Sequence, residues 1–156
     1  MTFRILTILL LFMTVGLGSA SAQNREVPYW ASIKPDELNM RVGPSTDFKI
    51  VWVFRRAGLP IKVIRVQEGW RMIEDVDGEK GWVLASFLNP RRSALVVGDG
   101  LAPMRELPAS SAKLKWNLEP GVVGYLSDCE AGWCNLNVHG HKGWVEQKRL
   151  WGSGTP

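Results

Sequence analysis

The chain has 156 residues, 46% of them hydrophobic, with 19 Lys and Arg against 15 Asp and Glu for a formal net charge of +4. Basic and acidic residues are interspersed, without a run of one sign, so a nucleic-acid surface is not expected. An excess this small attracts anionic polymers only weakly and otherwise describes a solvated surface.

The first residues, MTFRILTILLLFMTVGLGSASAQ, place Arg4 before an apolar run from Ile5 to about Val15, followed by small residues that include Ala20 and Ala22. This pattern predicts a secretory signal peptide over residues 1–22, cleaved before Gln23. The run is shorter than the roughly 20 apolar residues that span a bilayer, so no membrane span is expected after processing. Cysteine first occurs at Cys129, which argues against lipid attachment at the cleavage site. The expected location is the periplasm, and the mature chain would keep 134 residues and a charge of +3 once Arg4 is lost.

Short β-rich segments follow, separated by Gly, Pro, Asn and Asp: YWASI, LNMRV, KIVWVF, PIKVIRV, WRMIEDV and KGWVLA, then KLKWNL, VVGYLSDC, WCNLNV and KGWVE. None carries a sustained helical period, so the chain reads as all-β. Asp77-Gly78 and Gly140 each fall between strand-like runs and predict tight hairpins, as do Gly69-Trp70 and Gly132-Trp133.

The two series are copies. Met40, Arg41, Pro44, Trp52, Gly58, Gly69, Trp70, Gly78, Lys80, Gly81, Trp82 and Val83 recur as Met104, Arg105, Pro108, Trp116, Gly121, Gly132, Trp133, Gly140, Lys142, Gly143, Trp144 and Val145. The offset drifts from 64 to 63 to 62, consistent with two single-residue deletions in turns. A period this long predicts two small domains, each a barrel of about five strands ending in a short helical turn and a closing strand. The first is placed at residues 27–97 with Ser93 to Val97 as its closing strand, and the second at 98–152. A disordered tail is expected at 153–156, and Gly98-Asp99-Gly100, too short for a free linker, would pack the barrels side by side.

Residues LNMRVGPSTDFKIVWVFRRAGLPIKVI, followed by EGWRMIEDVDGEKGWV, resemble the bacterial SH3-like domain family (SH3b). The resemblance is strong over Leu38 to Leu88 and weaker over Leu101 to Trp151. It implies two small SH3-like barrels, and by analogy with other secreted modules it implies peptidoglycan peptides as the ligand class. Paired modules with a Gly-Trp-Cys in the second copy also resemble periplasmic proteins of Gram-negative bacteria. The second copy departs from the pattern at Glu106-Leu107, where the first has Val42-Gly43, and at Ser111-Ala112, where the first has Asp47-Phe48. Binding is therefore expected in the first barrel.

Cys129 and Cys134, the only cysteines, flank the second Gly-Trp hairpin at a spacing that sets them opposite each other, and export supplies an oxidising compartment. A disulfide is expected. A rival reading groups Cys129, Cys134, His139 and His141 as zinc ligands, but the first copy builds the same hairpins with Val66, Arg71, Asp77 and Glu79. No metal and no cofactor are expected. Glu74 and Asp75 are adjacent on a strand and point to opposite faces, phosphate-binding glycine signatures are absent, and no length remains for a catalytic domain. The chain is therefore not expected to be an enzyme.

Trp52 and Trp82, which have counterparts in Trp116 and Trp144, are expected in the core. Trp70, with Tyr29, Arg41, Asp47 and Phe48, is the candidate ligand groove; an Arg41–Asp47 pair that merely holds the loop shut explains part of that set equally well. The functional expectation is a noncatalytic envelope module for peptidoglycan peptides or another envelope component. The alternative is a structural or assembly protein that binds a protein partner through a surface patch or by edge-strand addition.

Overall fold

A computed structural model describes residues 25–156. The expected signal peptide at residues 1–22 lies outside them. Strands β1 (Tyr29–Ile33), β2 (Leu38–Arg41), β3 (Ile50–Phe54), β4 (Pro60–Gln67), β5 (Trp70–Glu74), β6 (Lys80–Leu84) and β7 (Leu88–Asn89) form one sheet. Strands β8 (Ser93–Val96), β9 (Ala102–Arg105), β10 (Leu114–Leu118), β11 (Val123–Glu130), β12 (Trp133–Val138), β13 (His141–Glu146) and β14 (Leu150–Trp151) form the other. Their orders are β3-β2-β6-β5-β4-β1-β7 and β10-β9-β13-β12-β11-β8-β14, the same path traced twice. All pairings are antiparallel, and each sheet curls into a small SH3-like barrel around its own core. One core gathers Ala31, Ile33, Met40, Ile61, Ile73 and Val83; the other gathers Ala94, Val96, Met104, Cys134, Leu136 and Val145.

The shared Met-Arg and Gly-Trp-Val residues have a common steric origin. A Cβ on Gly81 would lie 2.4 Å from Met40 Cγ and 3.0 Å from the Arg41 carbonyl oxygen; on Gly143 it would lie 2.5 Å from Met104 Cγ and 2.8 Å from the Arg105 oxygen. Only glycine lets β6 and β13 cross β2 and β9 this closely. Tight hairpins occur at Gly69, Gly132 and Gly140 as predicted, but not at Asp77-Gly78. His139 and Gly140, with φ of 49° and 93°, make a two-residue turn between paired Val138 and His141. Its counterpart is a longer loop in which Asp75 accepts the N–H of Asp77 and Glu79.

Each barrel ends as expected in a 3-10 turn, Ala85–Phe87 or Gln147–Arg149, followed by a short closing strand. The first closing strand, however, is β7 and not Ser93 to Val97. Strand β8 pairs with β11 and β14 and is the second barrel's counterpart of β1. The sheets therefore part between Asn89 and Ser93, and Gly98-Asp99-Gly100 is the turn between β8 and β9 within the second barrel.

The barrels are packed together, and the residues expected to be a disordered tail help to hold them. Ser153 is buried at 4% exposure, and its Oγ donates to the Leu150 carbonyl. Trp30 Nε1 donates to the Gly154 carbonyl at 2.7 Å, and its ring stands edge-on to Trp151 at 4.8 Å. Arg92 donates to the carbonyls of Gly152, Ser153 and Gly154. Partial burial lowers the pKa of its guanidinium, which remains cationic at neutral pH.

Candidate functional site

Strand β3 is the edge of the first sheet and reads IVWVF, with no polar residue to turn outward. Its pairing with β2 slips once: Arg41 faces Ile50 and Met40 faces Trp52, which leaves Val51 as the extra residue of a bulge. The bulge breaks the two-residue alternation, so Val51 and Trp52 both border one depression of about 460 Å³ with Val42, Glu79 and Lys80. Trp52 also borders a second depression of about 360 Å³, beside Leu59, Pro60 and Val76. At 56% exposure Trp52 is an outer platform, contrary to its expected place in the core. Trp82 is buried at 5%, in keeping with a packing role.

The second barrel repeats the bulge, with Lys115 as the extra residue, and its Trp116, also expected in the core, is 47% exposed but partly covered. His141 lies over Trp116 with ring centroids 4.4 Å apart, and Lys115 Nζ donates to the Lys142 carbonyl. Glu106 and Ala112 stand where the first copy has Val42 and Phe48. The accessible aromatic face is thus more open in the first barrel.

Lys80, on the border of this face, belongs to a small ion-pair cluster. Glu74 takes Lys62 at 2.7 Å and Lys80 at 3.2 Å. The hydrogen bond from Lys62 holds its carboxyl below the ordinary carboxylate range, against an opposing contribution from burial.

The five residues expected to form a groove do not converge. Arg41 donates to the carbonyls of Thr46 and Phe48 at 2.8 and 2.7 Å, bracing its own loop, and Arg105 does the same to Ala112 in the second copy. Asp47 engages Ser45 rather than Arg41. Phe48 is 46% exposed and covers Gly43, where a Cβ would come within 2.6 Å of its ring. Tyr29 sits elsewhere, in a depression of about 190 Å³ with Val66 and Arg71, and its hydroxyl accepts from Arg71 Nε at 3.1 Å. Trp70 neighbours Arg71 on one strand and therefore points to the opposite face.

Cys129 and Cys134 pair across β11 and β12 and form the expected disulfide. With both sulfurs so engaged, neither is a thiolate ligand. The histidines separate: His141 packs at a tilt against Trp116, whereas His139 borders the space between the barrels. In the first copy Val66 and Arg71 occupy the disulfide's positions and line the Tyr29 depression instead.

The bacterial SH3 domain family matches the chain over residues 34–90 and again over 98–152. The protein belongs to that family, as a tandem pair of its domains. A curated relative, "Putative N-acetylmuramoyl-L-alanine amidase YrvJ" of Bacillus subtilis (strain 168), is 24% identical over 135 residues, covering 80% of this chain and 26% of that protein. The chain thus spans about a quarter of that relative's length. Among solved structures, NlpC2 and NlpC1 from Trichomonas vaginalis overlap 80% and 89% of this chain, and 48% and 50% of theirs, each at 11% identity with TM-scores of 0.36 and 0.35. An NlpC/P60 family protein from Bacillus cereus overlaps 78% of this chain and 55% of its own at 10% identity, with a TM-score of 0.35. Superposition at this level carries no functional weight.

Proposed function

We propose that the protein is a noncatalytic, periplasmic binding module that holds peptidoglycan peptides against the first barrel through the face around Trp52. The observation that carries this reading is the difference between the copies: Trp52, 56% exposed, borders two depressions, whereas Trp116, 47% exposed, has His141 against its ring. A rigid aromatic platform bordered by Glu79 and Lys80 suits a short peptide with apolar and charged groups. Membership of the bacterial SH3 family and similarity to a protein named for cell-wall amidase chemistry support the ligand class. The disulfide and the signal-like N-terminus support export. The disulfide also removes both thiols as nucleophiles.

Sedimentation of the purified protein with purified sacculi tests the proposal. Wild type is expected in the pellet, and Trp52→Ala is expected to weaken binding by more than about 1 kcal/mol with its melting transition nearly unchanged. Wild type remaining in the supernatant would overturn the wall-binding reading. One observation favours a second reading in that event: β3 is an apolar edge strand with a free side, suited to pairing with an extended segment of a protein partner.

A further inference from the structure

Between the two barrels lies a cleft of about 560 Å³, and most of its polar groups are donors. The first barrel contributes Arg55 and Arg56 from the loop after β3, the segment between the sheets contributes Arg91, and the second barrel contributes Tyr125, Asn137 and His139. Arg55 is already paired, with Glu37 at 2.9 Å on exposed side chains. Arg56 gives one N–H to the Gly121 carbonyl at 2.7 Å and keeps the rest of its fork.

Arg91 is the distinctive group. Its guanidinium carbon lies over the Tyr125 ring, 3.7 Å from the centroid, and the guanidinium donates to no protein acceptor among the described residues. Its backbone is held on both sides of the Cα: its N–H donates to Asn89 Oδ1 at 2.9 Å, and its carbonyl accepts from the buried Ser32 hydroxyl at 2.8 Å. Asn137 uses its side-chain oxygen on the Gly140 N–H, so its amide N–H groups are what remain. Against these donors the lining offers a single carboxylate, Asp36.

A planar guanidinium held over an aromatic ring, with unspent donors, matches the two oxygens of a carboxylate. The cleft also adjoins the Trp52 face at one residue, since Arg55 borders both the cleft and the depression that Trp52 bounds. We infer that the interdomain cleft is a carboxylate-binding site, centred on Arg91 with Arg56 beside it, that takes the acidic end of an extended peptide whose remainder lies along the Trp52 face. Both barrels and the segment between them supply the site, so it depends on the contacts that hold the barrels in register, those of Trp30 and Arg92 with the tail among them.

The choice of probe rests on the wall-binding reading; the cleft chemistry does not. The probe is the tripeptide L-alanyl-γ-D-glutamyl-diaminopimelate, titrated calorimetrically into the full-length exported protein beside the same peptide with its carboxylates amidated. Amidation and Arg91→Gln are each expected to weaken binding about tenfold. Arg65→Gln, which removes the same charge from the first barrel away from the cleft, is expected to change it by less than about twofold. An Arg91→Gln protein that binds as wild type, an equal loss in Arg65→Gln, or a wild type that binds neither peptide would each overturn the cleft assignment. Sacculus sedimentation that persists alongside any of these results would leave the Trp52 reading standing, which separates the two failures.

Discussion

Trp52 and Trp82 lie two strands apart in one sheet and respond to truncation in opposite ways. Trp82 is 5% exposed beneath the Arg65 guanidinium, which stands 5.8 Å from its ring centroid, so Trp82→Ala should cost about 3 kcal/mol in urea denaturation. Trp52→Ala should shift the midpoint by less than about 1 kcal/mol, and equal shifts for the two variants would contradict the assigned surfaces. Glu74 gives a pH signature of defined sign. Its folded-state pKa is depressed, chiefly by the hydrogen bond from Lys62, so its contribution to stability is complete above the ordinary value of 4.5 and disappears as the pH falls through the lower folded value. Melting temperatures measured through that acid window should fall less steeply for Glu74→Gln than for wild type; parallel curves would show that the Lys62 bond contributes nothing. At this scale the sequence was readable where chemistry is local, as for the two cysteines. It misled where a side chain's direction depends on register: Trp52 reads as core until the bulge at Val51 is known, and Arg41 spends its fork on backbone oxygens that carry no sequence signal.

Elements in this chain are positioned by a few close approaches. At Gly81 an added methyl would meet Met40 and the Arg41 backbone, so Gly81→Ala should destabilise the first barrel by about 1 to 3 kcal/mol, and calorimetry should find no such penalty for Gly69→Ala, where a Cβ would meet nothing within 4 Å. The disulfide joins β11 to β12 across a short turn, and replacing both cysteines by serine should cost about 2 kcal/mol from the loop alone, with the burial of Cys134 adding to it. A double variant as stable as wild type would refute that contribution. The strands and hairpins were legible because Gly, Asn and Asp punctuate β-branched runs. The owner of β8 was not: Ser93 to Val96 follows the first closing strand closely, and Gly98-Asp99-Gly100 resembles a domain joint although it is the counterpart of the β1–β2 turn. Strand identity is decided by pairing partners, which lie far away in sequence.

As a whole molecule the protein is two similar barrels whose tail folds back onto the first. Trp30 and Arg92 both donate to carbonyls in residues 152–154, contacts that a duplicated pattern cannot disclose because Ser93 and Arg92 stand in the second copy where the first has Trp30 and Tyr29. The intact chain should therefore unfold in one transition, and a chain ending at Trp151 should unfold in two, the first at lower temperature by a loss of about 2 to 4 kcal/mol in contacts between barrels. A single unshifted transition for the shortened chain would show that the tail is not what joins them. The same junction carries its own optical gauge. Trp30 and Trp151, with centroids 4.8 Å apart and ring planes at 79°, are close enough for their electronic transitions to mix, so circular dichroism in the indole bands should contain a couplet that belongs to neither ring alone. Eight tryptophans make ordinary fluorescence a blurred witness, but this signal depends on both rings being in place. Its amplitude would register the barrels parting, in unlabelled protein and in real time, before either one melts.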